Sequence, residues 1–235
     1  GKKQLLVINR KDMININAHQ AWDKKLRSEG QVPWWCDAKV GTGVLQLKQA
    51  AIRAGQELNK RRLDRGMKNR AIRALTLGFP NVGKSALINR LVKKKVVSSS
   101  RKAGVTRSLR WVRLGQDLDL LDAPGVLPPR LENQNAALKL AICDDIGQAA
   151  YDTEQVAINF ISLLEELENI KESGIKLMCL QNRYGIFFND SIKDKSSWLL
   201  AAAERHTSGD TMRMSQRLLD DFRKNLLGNI SLELP

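Results

Sequence analysis

Aromatic residues are scarce in this chain, at 5% of 235, and it holds only three cysteines and two histidines. So few aromatics argue against a surface that grips single-stranded nucleic acid by stacking successive bases. Cys36, Cys143 and Cys179 are scattered, with neither a metal-site spacing nor an even count for a disulfide framework, so a reducing compartment is expected. No apolar run approaches the roughly 20 residues that cross a bilayer, so no membrane partner is expected. Gly1-Lys2-Lys3-Gln4 does not read as a secretory leader, although without an initiator Met a presequence could have been removed. What is present is an ordinary hydrophobic content, 43%, in a length that allows one large domain or two small ones.

Acidic residues are missing where basic ones are dense. Between Lys48 and Arg113, 19 Lys/Arg face only Glu57 and Asp64, while the whole chain carries +14, so the remainder is slightly acidic. A solvated basic helix face is the plain explanation of such a run, but concentration in one third of the chain predicts a polyanionic partner. With aromatics scarce, phosphate contacts on folded RNA are the expected mode.

The chain is organised around residues 71–92. Ala74-Leu75-Thr76-Leu77 reads as a buried strand that stops at Gly78. Gly78-Phe79-Pro80-Asn81-Val82-Gly83-Lys84-Ser85 is a full G-x-x-x-x-G-K-S, and Ala86 to Val92 continues as a helix with Leu87, Ile88 and Leu91 on one face. Strand, glycine loop and helix together make this a P-loop. The glycines let backbone N–H groups of residues 81–86 (Asn81, Val82, Gly83, Lys84, Ser85, Ala86) turn toward phosphate oxygens, and the helix N-terminus favours the same anions. Lys84 supplies charge to the β- and γ-phosphates and Ser85 a hydroxyl to Mg²⁺.

Earlier in the chain, the strand at 4–8 runs into Asn9-Arg10-Lys11-Asp12. Beside a P-loop, N-x-x-D reads as a guanine clamp, because the Asp12 carboxylate can accept from guanine N1–H and the 2-amino group together. Asn9 can bridge the base and the phosphate loop, and the stem of Arg10 can lie along the ring. A helix at 15–29 leads to a second strand, 32–36, with Pro33 at its start or edge, and then Asp37-Ala38-Lys39 and Gly41-Thr42-Gly43. That loop could set the Ala38 N–H on guanine O6; alone, it is equally a plain glycine turn. A helix at 44–64 follows, basic in its second half, and residues 65–70 link it to the P-loop strand.

After the P-loop helix, residues 93–107 are polar and without period, a loop in which Thr106 is the candidate to close on Mg²⁺ and γ-phosphate. Residues 109–114 and 117–122 read as a hairpin that delivers Asp122-Ala123-Pro124-Gly125. Asp122 can hold Mg²⁺ through water, and the Gly125 N–H can sense the γ-phosphate. Helices are expected at 134–145, 153–171, 195–207 and 211–225, with Met212, Met214 and Trp198 as packing and His206 as structural. A boundary near 148–153 would divide a nucleotide domain, 1–148, from a helical domain, 149–235.

The order N-R-K-D (9–12), D-A-K (37–39), P-loop (78–85), Thr106 and D-A-P-G (122–125) is that of a Ras-like GTPase circularly permuted, with base-recognition loops first. It resembles the YlqF (RbgA) family of permuted ribosome-assembly GTPases, along nearly the whole chain. The basic linker and Arg101-Lys102-Ala103-Gly104-Val105-Thr106-Arg107 look most like the cyanobacterial and plastid branch, hence plastid stroma or bacterial cytoplasm. The resemblance implies an α/β fold, a Ras-like parallel sheet with helices on both faces, followed by a small α-helical domain. It implies a GTP-hydrolysing monomer that matures the large ribosomal subunit on rRNA rather than DNA, with Mg²⁺ and K⁺, the latter held by Asn81. Lys84, Thr106 and Gly125 would be the catalytic groups; Ser85, Thr106 and Asp122 would hold Mg²⁺; Asn9, Arg10, Asp12, Ala38 and Lys39 would read guanine.

Several departures qualify the resemblance. Asp37 stands where the family has Ser, and Arg10 where it has Lys; both leave the backbone and Asp12 contacts possible. Val126 stands where a Ras-type enzyme has its water-orienting Gln, so slow intrinsic hydrolysis is expected. The family also places a strand and a D-A-R motif before N-x-x-D, inside the sheet. The expectation is therefore that these residues are part of a longer protein, with an interrupted sheet and no assignable upstream catalytic His. An RNA-binding scaffold with little or no turnover is the competing reading; an ATP-dependent kinase is disfavoured by Asp12.

Overall fold

A computed structural model describes residues 2–94, 109–126, 132–147, 150–189 and 192–235. The chain divides into two compact units, Gly1–Lys11 with Leu26–Pro128, and Asp12–Lys25 with Pro129–Pro235.

Among the described residues, the first unit holds five short strands in two sheets. β1 (Leu6–Ile8) pairs in parallel with β2 (Pro33–Trp35), Leu6 opposite Pro33. As expected, Pro33 opens its strand, where a missing N–H costs no ladder bond. In the second sheet the order is β3 (Ile72–Thr76), β5 (Leu118–Asp122), β4 (Arg110–Arg113), with β3 and β5 parallel and the β4–β5 hairpin antiparallel. Among the described residues no ladder joins the two sheets, so the parallel sheet is interrupted.

Two helices cover both sheets on one side. α2 (Val44–Leu63) and α3 (Lys84–Val92) pack Ala51, Ile52, Ile88 and Leu91 on Ile72, Val112, Leu118 and Leu120. The same helices pack Val44, Leu47, Leu87 and Leu91 on Val7, Trp34 and Cys36. α2 lies so close to β3 that a Cβ on Gly55 would come 2.5 Å from the Ile72 side chain. Alternation along β3 and β4 turns Leu75 and Trp111 to the other face, where they are 51% and 53% exposed, with the Arg73 guanidinium 5.4 Å from the Trp111 ring centroid. Within this unit, α2 and α3 pack on one face of that sheet.

The second unit is helical. It comprises the segment 12–25, with most of α1 (Ile16–Ser28), and α4 (Gln134–Cys143), α5 (Thr153–Glu168), α6 (Met178–Tyr184), α7 (Lys195–Thr207) and α8 (Thr211–Arg223). Asp152, Asp194 and Asp210 cap α5, α7 and α8, each accepting from backbone N–H groups of the first turn. Phe160, Leu164, Trp198, Met214 and Leu218 are fully buried, so Trp198 and Met214 are packing residues as expected. Met212 is not: it lies two residues from Met214 on the helix and is 43% exposed. His206 Nε2 bonds the Tyr184 carbonyl at 2.8 Å, a structural role. The Arg223 guanidinium ties α8 to the end of α4, donating to Ile142 O and Ala141 O, both at 2.8 Å. Through such packing α4 sits with the helices after it, so the change of unit precedes the expected boundary at 148–153. α6 was not foreseen: it has seven residues, and Leu177 at its N-cap offers no capping side chain.

Candidate nucleotide site

β3 ends at Thr76 and α3 begins at Lys84, so residues 77–83 form the phosphate loop between strand and helix. Gly83 has φ 93°, and a Cβ there would come 2.2 Å from Asn9 Nδ2, so only glycine fits. Leu87 N–H bonds Gly83 O at 2.9 Å, which sets Lys84, Ser85 and Ala86 in the first turn of the helix, at its N-terminus. Of the expected phosphate donors, the Val82 N–H turns onto Pro80 O at 2.7 Å, within the loop. Asn81 takes the left-handed region, φ 56°, which Asn tolerates. The Lys84 ammonium folds back into the loop, donating to Gly78 O at 3.0 Å and Phe79 O at 2.6 Å.

The end of β5 runs beside this loop. Thr76 Oγ1 donates to Leu121 O at 3.0 Å and the Val126 N–H to Gly78 O at 3.1 Å. A Cβ on Gly125 would come 2.6 Å from Pro80 N and Cα, so glycine is what lets D-A-P-G pass this closely. Asp122 is 1% exposed, and neither carboxylate oxygen has a hydrogen-bond partner among the described residues. Burial pushes its carboxyl up, and the charge of Lys84 pulls it partly back. A buried carboxylate without a donor fits a divalent cation. Among the described residues no three His, Cys, Asp or Glu side chains cluster as a metal cage, so such an ion would lean on phosphate oxygens. Mg²⁺ characteristically binds in this way, through one or two protein groups plus substrate phosphates. Thr106 lies outside the described residues, and the Val126 side chain, 59% exposed, offers no polar atom.

Asn9 and the 37–39 turn meet beside the same loop. Asn9, just past β1, donates from Nδ2 to Val82 O at 3.1 Å and accepts on Oδ1 from the Ala38 N–H at 3.1 Å. Asn9 thus joins the phosphate loop to D-A-K; the expected bridge was from the base to the phosphate loop. Asp37, 5% exposed, accepts on Oδ1 from Lys39 N–H at 2.7 Å and Val40 N–H at 3.2 Å. The departure from Ser thus builds an Asx turn that shapes the loop. Gly43, φ 75°, closes it, since a Cβ there would come 2.1 Å from Trp35 O. Arg10 has φ 59° and an exposed side chain. Asp12 lies in the 3-10 turn Lys11–Met13, its carbonyl accepting from Asn225 Nδ2 at 3.0 Å. One contact was not anticipated: Arg90 of α3 donates from Nε to Ala38 O at 3.0 Å and from Nη2 to Lys39 O. In the sequence it shows only as a charged residue between Asn89 and Leu91, on the helix whose Leu87, Ile88 and Leu91 are apolar.

Residues 73–183 match the profile of a family described as 50S ribosome-binding GTPase. Ribosome biogenesis GTPase A of Bacillus licheniformis is 32% identical over 241 positions, which cover all of this chain and 82% of that protein. The Bacillus cereus protein of the same name is 33% identical, over all of this chain and 78% of its own. Among solved structures, GDP-bound YlqF matches with a TM-score of 0.61 at 18% identity, over 98% of this chain and 83% of that one. GNP-bound YlqF from Thermotoga maritima (T. maritima) gives the same TM-score at 17% identity. At such identity the likeness shows a shared fold, a P-loop GTPase domain with a helical remainder.

Proposed function

This chain belongs to the ribosome biogenesis GTPase A family, and we propose that it binds and hydrolyses GTP as an assembly factor of the large ribosomal subunit. The observation that supports the proposal most is the pair of hydrogen bonds of Asn9, to Val82 O and from Ala38 N–H, which joins the N-x-x-D and D-A-K segments to the phosphate loop. In the reaction, water attacks the γ-phosphorus as its bond to the β–γ bridging oxygen breaks, giving GDP and phosphate. Lys84 balances charge on the β- and γ-phosphate oxygens, and the Gly125 N–H binds a γ-oxygen. Ser85, Thr106 and, through water, Asp122 would hold Mg²⁺, which would supply positive charge to the same oxygens. Asn81 is the proposed K⁺ ligand. Asp12, with the Ala38 N–H, selects guanine; Arg10 and Lys39 flank the ring. Val126 favours a second reading, an RNA-binding scaffold without turnover, because it can neither accept a proton nor orient water.

RNA contact is assigned to the basic end of α2 and the linker after it. Asn59 Nδ2 donates to Arg70 O at 2.9 Å and Arg62 Nε to Lys68 O at 3.2 Å, so the linker is strapped to the helix. Lys60, Arg61, Arg65, Lys68, Arg70 and Arg73 are thereby displayed to solvent from an ordered support. The bacterial cytoplasm or the plastid stroma is the proposed compartment, and a monomer the proposed state. Co-sedimentation with large ribosomal subunits tests the assignment. Binding is expected to be stronger with a non-hydrolysable GTP analogue than with GDP, and to weaken by at least about tenfold between 50 and 200 mM salt. Binding indifferent to both nucleotide and salt would remove the RNA assignment.

A further inference from the structure

We propose that the helical unit carries a docking groove for a basic amphipathic helix of a partner protein. The groove, about 880 Å³, lies wholly within that unit, lined by one face of α1, the end of α5 and residues 232–235. From α1 come Asn17, Gln20, Ala21 and Lys24, at i, i+3, i+4 and i+7. The second wall has the same period: Leu163, Glu166 and Leu167 of α5, then Ile170 just past its end. Seven helical steps span about 10 Å, so each wall presents a stripe two turns long. Two such stripes make a seat for a third helix, which lays its own i, i+3, i+4 and i+7 anchors into it.

The walls are held without a partner. Asn15 Nδ2 donates to Ser173 O, tying the start of α1 to the 3-10 turn Lys171–Ser173 that follows α5. Trp22 Nε1 of α1 donates to Glu233 O at 3.2 Å, and the Lys139 ammonium of α4 pairs with the Glu233 carboxylate. Residues 232–235 are thereby fixed as part of the lining. A preformed groove spares the complex the cost of ordering this side.

The chemistry of the lining selects the occupant. It is apolar at Leu163, Leu167, Ile170, Leu232 and Leu234, and Ile170 is 41% exposed. Beside these, Glu166 and Glu172 are exposed, and among the described residues neither has an ion-pair partner. Lys139 is engaged by Glu233, which leaves Lys24 against those two carboxylates. The surplus in the groove is therefore negative, on a chain whose net charge is +14. A nucleic-acid backbone would meet carboxylates and apolar carbon there, so the groove does not suit RNA. It suits a helix with leucine-like anchors on one face and Lys or Arg along the edge beside Glu166 and Glu172.

The test is fluorescence anisotropy of two labelled peptides of about 18 residues, five turns of helix, titrated with the 235-residue chain. Both carry leucine at i, i+3, i+4 and i+7; one has lysine at the other positions and one has glutamate. Joint reversal of two exposed charges, Glu166→Lys with Glu172→Lys, is expected to weaken the lysine peptide about tenfold and to leave the glutamate peptide unchanged or tighter. Ile170→Ser, which removes an exposed apolar contact, is expected to weaken the lysine peptide several-fold, with melting temperatures measured alongside. If the double reversal does not fold, Ile170→Ser decides alone. A lysine peptide that does not bind, or whose binding neither change moves, overturns the proposal. So does a dimer of the chain alone that Ile170→Ser dissociates, since a second copy would then fill the groove.

Discussion

Replacing Lys84 with alanine lowers GTP turnover by about 10²- to 10³-fold, the range for losing one preorganised stabiliser of transition-state charge. The ammonium lies inside the loop, donating to Gly78 O and Phe79 O, so its charge is held beside the proposed phosphate site. Its nearness also acts on Asp122, whose carboxyl it pulls down against the effect of burial. Steady-state turnover and melting temperature measured on the same preparation separate chemistry from folding. The partly exposed Lys84 side chain buries little apolar surface, so the melting temperature should move by only a few degrees. A variant that keeps more than a tenth of parental turnover would remove Lys84 from the catalytic role.

Asp12→Asn weakens GTP by at least about 10²-fold while its effect on fold stability stays small. The carboxylate accepts from guanine N1–H and from the 2-amino group, and a neutral amide can accept only on one side while setting a donor against the other. The same chemistry predicts a gain: xanthine carries an oxygen at C2, so the Asn amide can donate there and accept from N1–H. Xanthosine triphosphate should then compete better than GTP for the variant. The backbone support is expected to persist, because Asn225 holds the carbonyl of Asp12 rather than its side chain. Equal losses of GTP binding and of stability, with no gain for the xanthine nucleotide, would sink the guanine assignment.

Much of this arrangement could be read from the chain because short-range rules dominate it. The P-loop has its glycines at fixed offsets between a strand and a helix, and the structure returns that strand and helix at Ile72–Thr76 and Lys84–Val92. α7 runs over Lys195–Thr207, the expected 195–207, because Asp194 caps its start and Ser208-Gly209 ends it.

What escaped depends on contacts distant in sequence. Arg90 reaches Ala38 and Lys39 across some fifty positions, and nothing in their spacing announces it. The Asx turn of Asp37 could have been suspected from its residue type, but its two N–H partners are set by loop conformation. That one face of the β3–β5–β4 sheet stays exposed at Leu75 and Trp111 is a matter of tertiary packing, invisible to an alternation of apolar residues. α6 was missed for the opposite reason: with seven residues and no capping side chain, its local signal is too weak.

The most direct test of the central claim is GTP turnover by the 235-residue chain, with and without purified large ribosomal subunits, in KCl and in NaCl. The account predicts a slow intrinsic rate, because Val126 cannot orient water, raised by the subunits and raised further by K⁺ than by Na⁺. Binding of GTP without turnover, even on subunits in KCl, would contradict the enzymatic account and favour the scaffold.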